Sequence, residues 1–193
     1  MNLQKNTGNL LFPKNVISKI NVEKATVNYS EKIKSNRTLK ALTGDEEIVR
    51  AFLIDRLVNE LDYKPQNLET EKEYSVKIGR DTKNPRIDIL VKDNKGNPFF
   101  FIEAKSPQDY ESGKETIEGQ LFTLAQEEEK KHKTKVKYLV YYTAELQDNE
   151  IIDRAIIIDF DTYKTYDDWE KDGYISIGTE LTAGYGEPKK QPL

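Results

Sequence analysis

Two short apolar segments joined by a polar turn most constrain the fold of this chain. They are RIDILV (86–91) and PFFFIEAK (98–105), and the six residues KDNKGN separate them. β-Branched and aromatic residues favour strands, and Asp, Asn and Gly favour a tight turn, so the sequence predicts a β-hairpin. The second strand is apolar enough to be buried, yet it ends in Glu103 and Lys105, two side chains that resist burial. This strand end is therefore a candidate functional site.

Further helices and strands on both sides of the hairpin indicate the fold class. The stretch 43–63 is the clearest helix, with Thr43 and Glu46 spaced as a capping box, and 113–132 is a second helical stretch. This arrangement predicts an α/β fold in which helices flank a mixed central β-sheet. The remaining strands are predicted at 71–79, 136–144 and 154–161.

Composition excludes several kinds of site. The chain of 193 residues has no cysteine and one histidine, which excludes disulfides, thiolate zinc sites and cysteine nucleophiles. No window approaches the roughly 18 continuous apolar residues of a membrane span, and the N-terminus lacks the apolar stretch of a secretory signal. We therefore expect a soluble, cytoplasmic protein without a membrane partner.

The formal net charge of −4 is unevenly distributed along the chain. Residues 1–40 carry eight Lys or Arg and two Glu, a net charge of +6, which leaves −10 for residues 41–193. We interpret residues 1–40 as a basic N-terminal arm, either a solvated lead-in or a contact for the phosphate backbone of nucleic acid. The core is predicted over residues 41–165, and residues 166–193, which end in a Gly/Pro-rich tail, are interpreted as a C-terminal extension or linker.

The alternation of side chains along a strand brings the charged residues of the hairpin together. Glu103 and Lys105 share one face of their strand. A simple even-length loop would place Asp88 opposite Phe101 and diagonal to Glu103, about 7–8 Å away between Cα atoms, whereas a β-bulge would change this register. Two carboxylates this close repel each other unless a cation lies between them, and oxygen ligands suit Mg²⁺, with Mn²⁺ as a substitute. The sequence therefore predicts a metal site in which Lys105 lies close to a scissile phosphate or to an attacking water and stabilises developing negative charge.

The first predicted helix offers a third carboxylate. At about 100° per residue, Glu47 lies in the middle of the apolar stripe of this helix. It either has a partner in the interior or joins the metal site, and we expect the metal site. Glu46 lies at the margin of the stripe, where a cap residue is the adequate explanation. Arg50 is expected to pair with Glu46 or Glu47 at helical spacing, the alternative being a contact with DNA.

These segments resemble a known nuclease motif. PRIDILV and EAK, with fourteen residues between Asp88 and Glu103, resemble the PD-(D/E)xK nuclease motif. More narrowly, EEIVRAFLIDRLVNELDY, followed by a strand, RIDILV and FFIEAKSP, resembles the N-terminal nuclease domain of type I restriction enzyme R subunits over about residues 43–145. The resemblance implies a restriction-endonuclease-like core with the order αβββαβ.

The resemblance also implies roles for individual residues. Asp88 and Glu103 would be metal ligands, and Lys105 would be the catalytic lysine. Glu47 would be the acidic residue of the helix, as a catalytic residue and metal ligand. Gln120 falls where related nucleases carry a Gln-x-x-x-Tyr motif, but the fourth following residue here is not tyrosine. Only Gln120 is therefore carried over, as a contact with DNA or with the site.

The expected function is that of a Mg²⁺-dependent endonuclease domain that hydrolyses DNA phosphodiester bonds. The resemblance implies DNA, methyltransferase and specificity subunits and an attached translocase motor as partners. The chain has no Gly-x-x-x-x-Gly-Lys-Ser/Thr loop, so we expect no ATP site in it. Two alternatives stay open: a catalytically inactive nuclease-fold module for DNA binding or assembly, and a small α/β interaction domain in which the charged strand end is coincidental.

Overall fold

The computed structural model describes residues 17–35, 39–42, 44–78 and 81–185 of the chain. The strands are Ser18–Asn21 (β1), Thr26–Tyr29 (β2), Lys34–Ser35 (β3), Leu39–Ala41 (β4), Leu68–Glu73 (β5), Val76–Ile78 (β6), Asp81–Lys83 (β7), Arg86–Lys92 (β8), Pro98–Ala104 (β9), Tyr138–Gln147 (β10) and Glu150–Asp159 (β11). The α-helices are Asp45–Asn59 (α1), Thr123–His132 (α2) and Tyr166–Lys171 (α3). A π-helix spans Ile117–Phe122, and short 3-10 helices span Pro65–Asn67, Ser112–Glu115 and Ala183–Tyr185.

A six-stranded mixed sheet forms the centre of the fold. Its strand order is β11-β10-β9-β8-β5-β3. β9 and β10 are parallel, as are β3 and β5, whereas the other neighbours are antiparallel. The π-helix and α2 form the crossover between β9 and β10, as a parallel pair requires. The predicted α/β fold with a mixed central sheet flanked by helices is confirmed.

The sheet separates two hydrophobic cores. On one side, Leu53 of α1 and Ile102 of β9 belong to the same buried cluster. On the other side, Leu121 of the π-helix packs in a cluster with Phe101 of β9 and with Trp169 of α3. Every residue of β9 is buried, because both faces of this strand are covered. The run of phenylalanines in the sequence is thus explained by a strand in the middle of the molecule.

Both predicted helices differ in detail from the expectation. α1 begins at Asp45 with Gly44 at its N-cap, and Thr43 of the predicted capping box lies outside the described residues. The second helical stretch consists of a 3-10 turn, the π-helix and α2, in that order. π-Helical turns are rare and occur often at functional sites. Gln120, a predicted site residue, lies in this π-helix.

The N-terminal region contains a second, three-stranded antiparallel sheet with the order β1-β2-β4. Its residues Val27 and Tyr29 belong to the core that α1 covers. The described part of the predicted basic arm is therefore folded against the core, while its residues 1–16 and 36–38 lie outside the described residues.

The C-terminal region also packs against the core. Trp169 of α3 and Leu181, both in the predicted C-terminal extension, are buried. The last eight residues of this extension, 186–193, lie outside the described residues. The boundaries at 41, 165 and 166 stay predictions. Within the described ranges, no helix combines the length and the apolar character needed to cross a membrane.

Candidate functional site

The hairpin of β8 and β9 forms as predicted, but its register is different. Asp93 and Gly96 close the turn, with the Gly96 N–H donating to the Asp93 carbonyl at 3.0 Å. Leu90, not Asp88, pairs with Phe101, so the predicted register is wrong by two residues. The irregularity between Val91 and Lys92 accounts for part of this difference, because a bulge leaves one residue unpaired and so shifts the pairing of the residues beyond it.

The corrected register brings the two carboxylates closer than the sequence predicted. Ile89 pairs with Ile102, so continuing the ladder by one residue sets Asp88 opposite Glu103. The Oδ2 atom of Asp88 accepts a hydrogen bond from the N–H of Ala104 at 2.8 Å, which ties Asp88 directly to the end of β9. The predicted clustering of Asp88 and Glu103 is therefore present, in a tighter arrangement.

Glu103 is the most buried carboxylate of the cluster, at 2% exposure. Its Oε1 atom accepts a hydrogen bond from Lys105 Nζ at 2.7 Å. With its amide nitrogen turned towards this carboxylate, Gln120 of the π-helix donates to Oε2 at 2.6 Å. The Nζ atom of Lys105 also lies 3.7 Å from Glu46 Oε2. The structure thus brings Lys105 and Gln120 to Glu103, while a contact of Gln120 with DNA stays a prediction.

The electrostatic environment disfavours a charged Glu103. Burial and the negative charge of Asp88 together raise the pKa of Glu103 to about 8, although Lys105 opposes the shift. Burial lowers the pKa of Lys105, but Glu103 and Glu46 outweigh this effect and leave that pKa raised. A protonated lysine therefore lies beside a carboxyl group that needs a further cation to carry its charge.

Arg50 connects α1 to Asp88. Its Nη2 atom donates to Asp88 Oδ1 at 2.6 Å and lies 3.4 Å from Glu46 Oε1, and its Nη1 atom binds Glu47. The expectation that Arg50 pairs with Glu46 or Glu47 is confirmed for both residues. Burial lowers the pKa of Arg50, but the carboxylates of Asp88 and Glu47 outweigh it and leave that pKa raised. Asp88 is thus held from two sides, by Arg50 and by the backbone of β9.

Glu47 lies in the interior, as its place in the apolar stripe predicted. Its Oε2 atom binds Arg50, and its Oε1 atom accepts a hydrogen bond from the Tyr29 hydroxyl at 2.7 Å. Burial raises the pKa of Glu47, and Arg50 and Tyr29 counteract this shift. Of the two alternatives for Glu47, a partner in the interior or a place in the metal site, the structure shows the partner in the interior. Its role as a catalytic residue and metal ligand stays a prediction.

Three residues of this cluster were not found from the sequence: Tyr29, Lys40 and Glu71. Lys40 forms a buried ion pair with Glu71, whose Oε1 atom lies 3.7 Å from Arg50 Nη1. Glu71 has a φ of +51°, a strained conformation for a non-glycine residue in a strand. The alternation of TVNY predicts a strand at best, and no sequence pattern signals that its tyrosine reaches a glutamate 18 positions later.

A glycine makes room for the Tyr141 hydroxyl beside Lys105, the lysine that the sequence predicted to be catalytic. A Cβ atom at Gly113 would lie 2.6 Å from the Tyr141 hydroxyl and 3.5 Å from Lys105 Cδ. The Tyr141 hydroxyl is itself fixed, because it donates to the Tyr110 carbonyl at 2.9 Å. Gly113 therefore permits the close packing of the loop after β9 against the Tyr141 hydroxyl, while its contact with Lys105 is an ordinary van der Waals one.

The donor chemistry of the cluster fits a magnesium ion. No set of three or more acidic, histidine or cysteine side chains in the described ranges is arranged to hold a metal. Mg²⁺, however, commonly uses one or two carboxylates and fills its other positions with water and substrate phosphate, and Asp88 and Glu103 supply such a pair. The cluster as a whole has a formal charge of −2, which a divalent cation would neutralise. Its five carboxylates and three cations are Glu46, Glu47, Glu71, Asp88 and Glu103 with Lys40, Arg50 and Lys105.

Comparison with known families agrees with this geometry. Residues 45–147, a little over half of the chain, match the family described as type I restriction enzyme R protein N terminus (HSDR_N). This range runs from the start of α1 to the end of β10 and includes the hairpin, Lys105 and Gln120. No curated protein matches the chain. The chain therefore belongs to the family of N-terminal regions of type I restriction enzyme R proteins.

Proposed function

We propose that this chain is a Mg²⁺-dependent endonuclease domain that hydrolyses DNA phosphodiester bonds within a type I restriction-modification R subunit. One observation carries the proposal: a buried carboxylate pair, Asp88 and Glu103, lies beside the charged Lys105 at the end of a central hairpin. Two acids without enough cations between them are costly in a protein interior, and perturbed groups of this kind cluster at functional sites. The family match supports the same function.

Asp88 and Glu103 would hold the ion. A bound Mg²⁺ would polarise a phosphoryl oxygen and make a coordinated water more acidic. The backbone N–H of Ala104 and the guanidinium of Arg50 fix the orientation of the Asp88 carboxylate. Ligands whose orientation is already set by hydrogen bonds lose little freedom when they bind a metal.

Lys105 would stabilise the charge that develops on the phosphate. Hydrolysis forms a bond between a water oxygen and phosphorus and breaks the phosphorus–oxygen bond to the leaving nucleotide, whose oxygen takes up a proton. The Nζ atom of Lys105 is protonated and has three donors, of which Glu103 takes one at 2.7 Å. A donor aimed at a non-bridging phosphate oxygen lowers the barrier to such a displacement. Gln120 would hold the other oxygen of Glu103 in place.

The partners of the domain follow from the same proposal. DNA is the substrate, and the methyltransferase and specificity subunits and a translocase motor of a restriction-modification complex would choose where it is cut. The chain itself has no phosphate-binding loop for ATP. The site of action would be the cytoplasm.

The first experiment is a calorimetric titration of Mn²⁺ into the full chain and into Asp88→Ala. We choose binding over cleavage as the first measurement because cleavage can require the motor. The matched control is Glu150→Gln, which changes an exposed carboxylate at the start of β11. We expect the wild type and the control to bind Mn²⁺ and Asp88→Ala to lose binding while its circular dichroism spectrum is retained.

Two outcomes would contradict the proposal. A wild-type chain that is folded but does not bind Mn²⁺ has no metal site. A chain that binds DNA equally well in the presence of a chelator and never breaks it, even with the partner subunits and motor added, is the inactive nuclease-fold module.

A further inference from the structure

A buried arginine lies where several acidic side chains of the site meet. Arg50 is 6% exposed, and its two terminal nitrogens contact carboxylates from three different elements. Three of these contacts are hydrogen-bonded ion pairs, and the fourth, with Glu71, is a longer approach at 3.7 Å. The carboxylates are those of Glu46 and Glu47 on α1, Glu71 on β5 and Asp88 on β8.

Side chains from the N-terminal sheet hold this arrangement in place. The Tyr29 hydroxyl donates to Glu47, and Lys40 pairs with Glu71. Both residues precede the range that matches the family. Tyr29 is 3% exposed, and burial together with the charge of Glu47 raises its pKa well above the usual value, so it stays a hydrogen-bond donor. Tyr29 and Lys40 thus hold two of the carboxylates that fix the position of Arg50.

The other half of the site has a different cation. Glu103 is bound by Lys105 and Gln120. Two carboxylates lie between the halves: the buried Asp88, and the more exposed Glu46, which is 3.4 Å from Arg50 and 3.7 Å from Lys105. One oxygen of Asp88 faces Arg50, and the other accepts the Ala104 N–H while keeping a further lone pair. Arg50 therefore already bridges the Glu47 and Asp88 carboxylates, whereas no side-chain cation of the described residues forms ion pairs with both Asp88 and Glu103.

We propose that Arg50 takes the place of a second metal ion, so that the site binds a single divalent cation on the side of Asp88 and Glu103. This inference rests on the proposed function. In a two-metal site a second ion lies about 3.5–4 Å from the first and shares a carboxylate with it. Here the shared carboxylate, Asp88, has the guanidinium as its second partner. Glu47 then acts as a positioning residue that orients Arg50, and Tyr29 positions Glu47.

The number of bound ions tests this inference. Mn²⁺ is titrated calorimetrically into the full chain, and the electron paramagnetic resonance spectrum at saturation distinguishes isolated Mn²⁺ from a spin-coupled pair. We expect one uncoupled ion in the wild type. Arg50→Met, which removes the charge, should bind a second ion and show the coupled spectrum. Arg50→Lys keeps a cation at this position and should bind one ion.

The outcomes separate this inference from the proposed function. Two ions in the wild type would overturn the inference and leave the proposed function intact. No binding to the folded wild type would overturn both. If Arg50→Met does not fold, the wild-type stoichiometry still tests the inference, because two bound ions would overturn it. A folded Arg50→Met that binds a single ion would also count against the inference.

A pair of tyrosine variants tests the positioning role. Tyr29→Phe removes a buried hydroxyl that a glutamate accepts at 2.7 Å, and Tyr74→Phe removes an equally buried hydroxyl that Glu128 accepts at 2.7 Å. We expect Tyr29→Phe to weaken Mn²⁺ binding about tenfold, as for loss of an outer hydrogen bond, with one ion still bound. Tyr74→Phe should leave the affinity unchanged. Equal effects of the two variants would show that the Tyr29 hydroxyl contributes only to folding.

Discussion

Two buried lysine–glutamate pairs in this molecule have almost the same geometry and different surroundings. Glu103 is 2% exposed and accepts from Lys105 at 2.7 Å, whereas Glu128 on α2 is 3% exposed and accepts from Lys72 at 2.6 Å. Glu128 also accepts from the Tyr74 hydroxyl, so its carboxylate is surrounded by donors. Glu103 instead lies next to a second carboxylate.

The comparison indicates that the neighbouring charges and hydrogen-bond donors determine whether a buried ion pair is structural or functional. Around Glu128 the charges and hydrogen bonds are satisfied within the protein, which is how a buried ion pair is tolerated. Around Glu103, burial and the Asp88 charge raise the pKa of the carboxyl group despite the lysine. The Lys72–Glu128 pair joins β5 to α2. The Lys105–Glu103 pair lies beside a second carboxylate, so that a further cation would stabilise it.

The largest effect is expected from Glu103→Gln. The amide keeps the shape of the side chain and removes its charge, so the Mn²⁺ affinity should fall on the order of 10³-fold, or about 4 kcal/mol. The free energy of unfolding should change by less than about 1 kcal/mol, because loss of the charge also removes the repulsion with Asp88. Calorimetric titration and urea unfolding measure the two quantities. Unchanged metal affinity would break the comparison, because Glu103 would then be structural like Glu128.

Glu128→Ala is expected to have the opposite profile. It leaves the Lys72 ammonium and the Tyr74 hydroxyl without their acceptor, so the free energy of unfolding should fall by about 3 kcal/mol, at the lower end for a broken buried pair. The Mn²⁺ affinity of the folded protein should stay at the wild-type value. Urea unfolding and calorimetry on the same sample test both statements, and a loss of metal binding in this variant would refute the division of roles.

A smaller effect is expected from Gly113→Ala, which tests the packing around the Tyr141 hydroxyl beside Lys105. The added methyl group meets the Tyr141 hydroxyl at 2.6 Å and must displace it. The free energy of unfolding should fall by about 1–3 kcal/mol, as for overpacking of an interior. Gly119→Ala is the control, because its Cβ meets no atom within 4 Å. A control variant that destabilises as much as Gly113→Ala would show that the crowding at the Tyr141 hydroxyl is not the cause.

The smallest effect concerns a third buried carboxylate, Asp55 of α1, which has no lysine among its described contacts. Its Oδ1 atom accepts from Asn59 Nδ2 at 2.9 Å, and its Oδ2 atom has no hydrogen-bond partner within the described ranges. Burial raises the pKa of Asp55 to about 6, although the bond from Asn59 opposes the shift. The folded state therefore binds a proton more tightly than the unfolded state does.

The sign of the resulting pH dependence follows from that difference. The contribution of Asp55 to stability is fully present below about pH 4, where it is protonated in both states, and is lost as the pH rises to about 6. Asp55→Asn should remove this dependence, so that its stability relative to the wild type rises between pH 4 and pH 6. Urea midpoints at several pH values measure it. Parallel curves for the two proteins would show that Asp55 titrates normally.

Local patterns were sufficient for much of the fold. The hairpin, α1 and the buried strands β9 and β10 follow from periodicity and turn residues, which act over a few positions. The place of Glu47 in an apolar stripe and its pairing distance to Arg50 also follow from helix geometry. Asp88, Glu103 and Lys105 could be named because the alternation along a strand and a short turn leave few ways to separate them.

The sequence by itself thus determined the elements, the central hairpin and the acidic and basic residues at its end. Only the tertiary structure decided the register, since a bulge near the turn depends on packing against both neighbouring strands. It also decided that Arg50 reaches Asp88, that Tyr29 reaches Glu47, and that Glu103 and Glu128 have different surroundings. These contacts join residues that are distant in the chain, and their energies depend on burial, which no local pattern encodes.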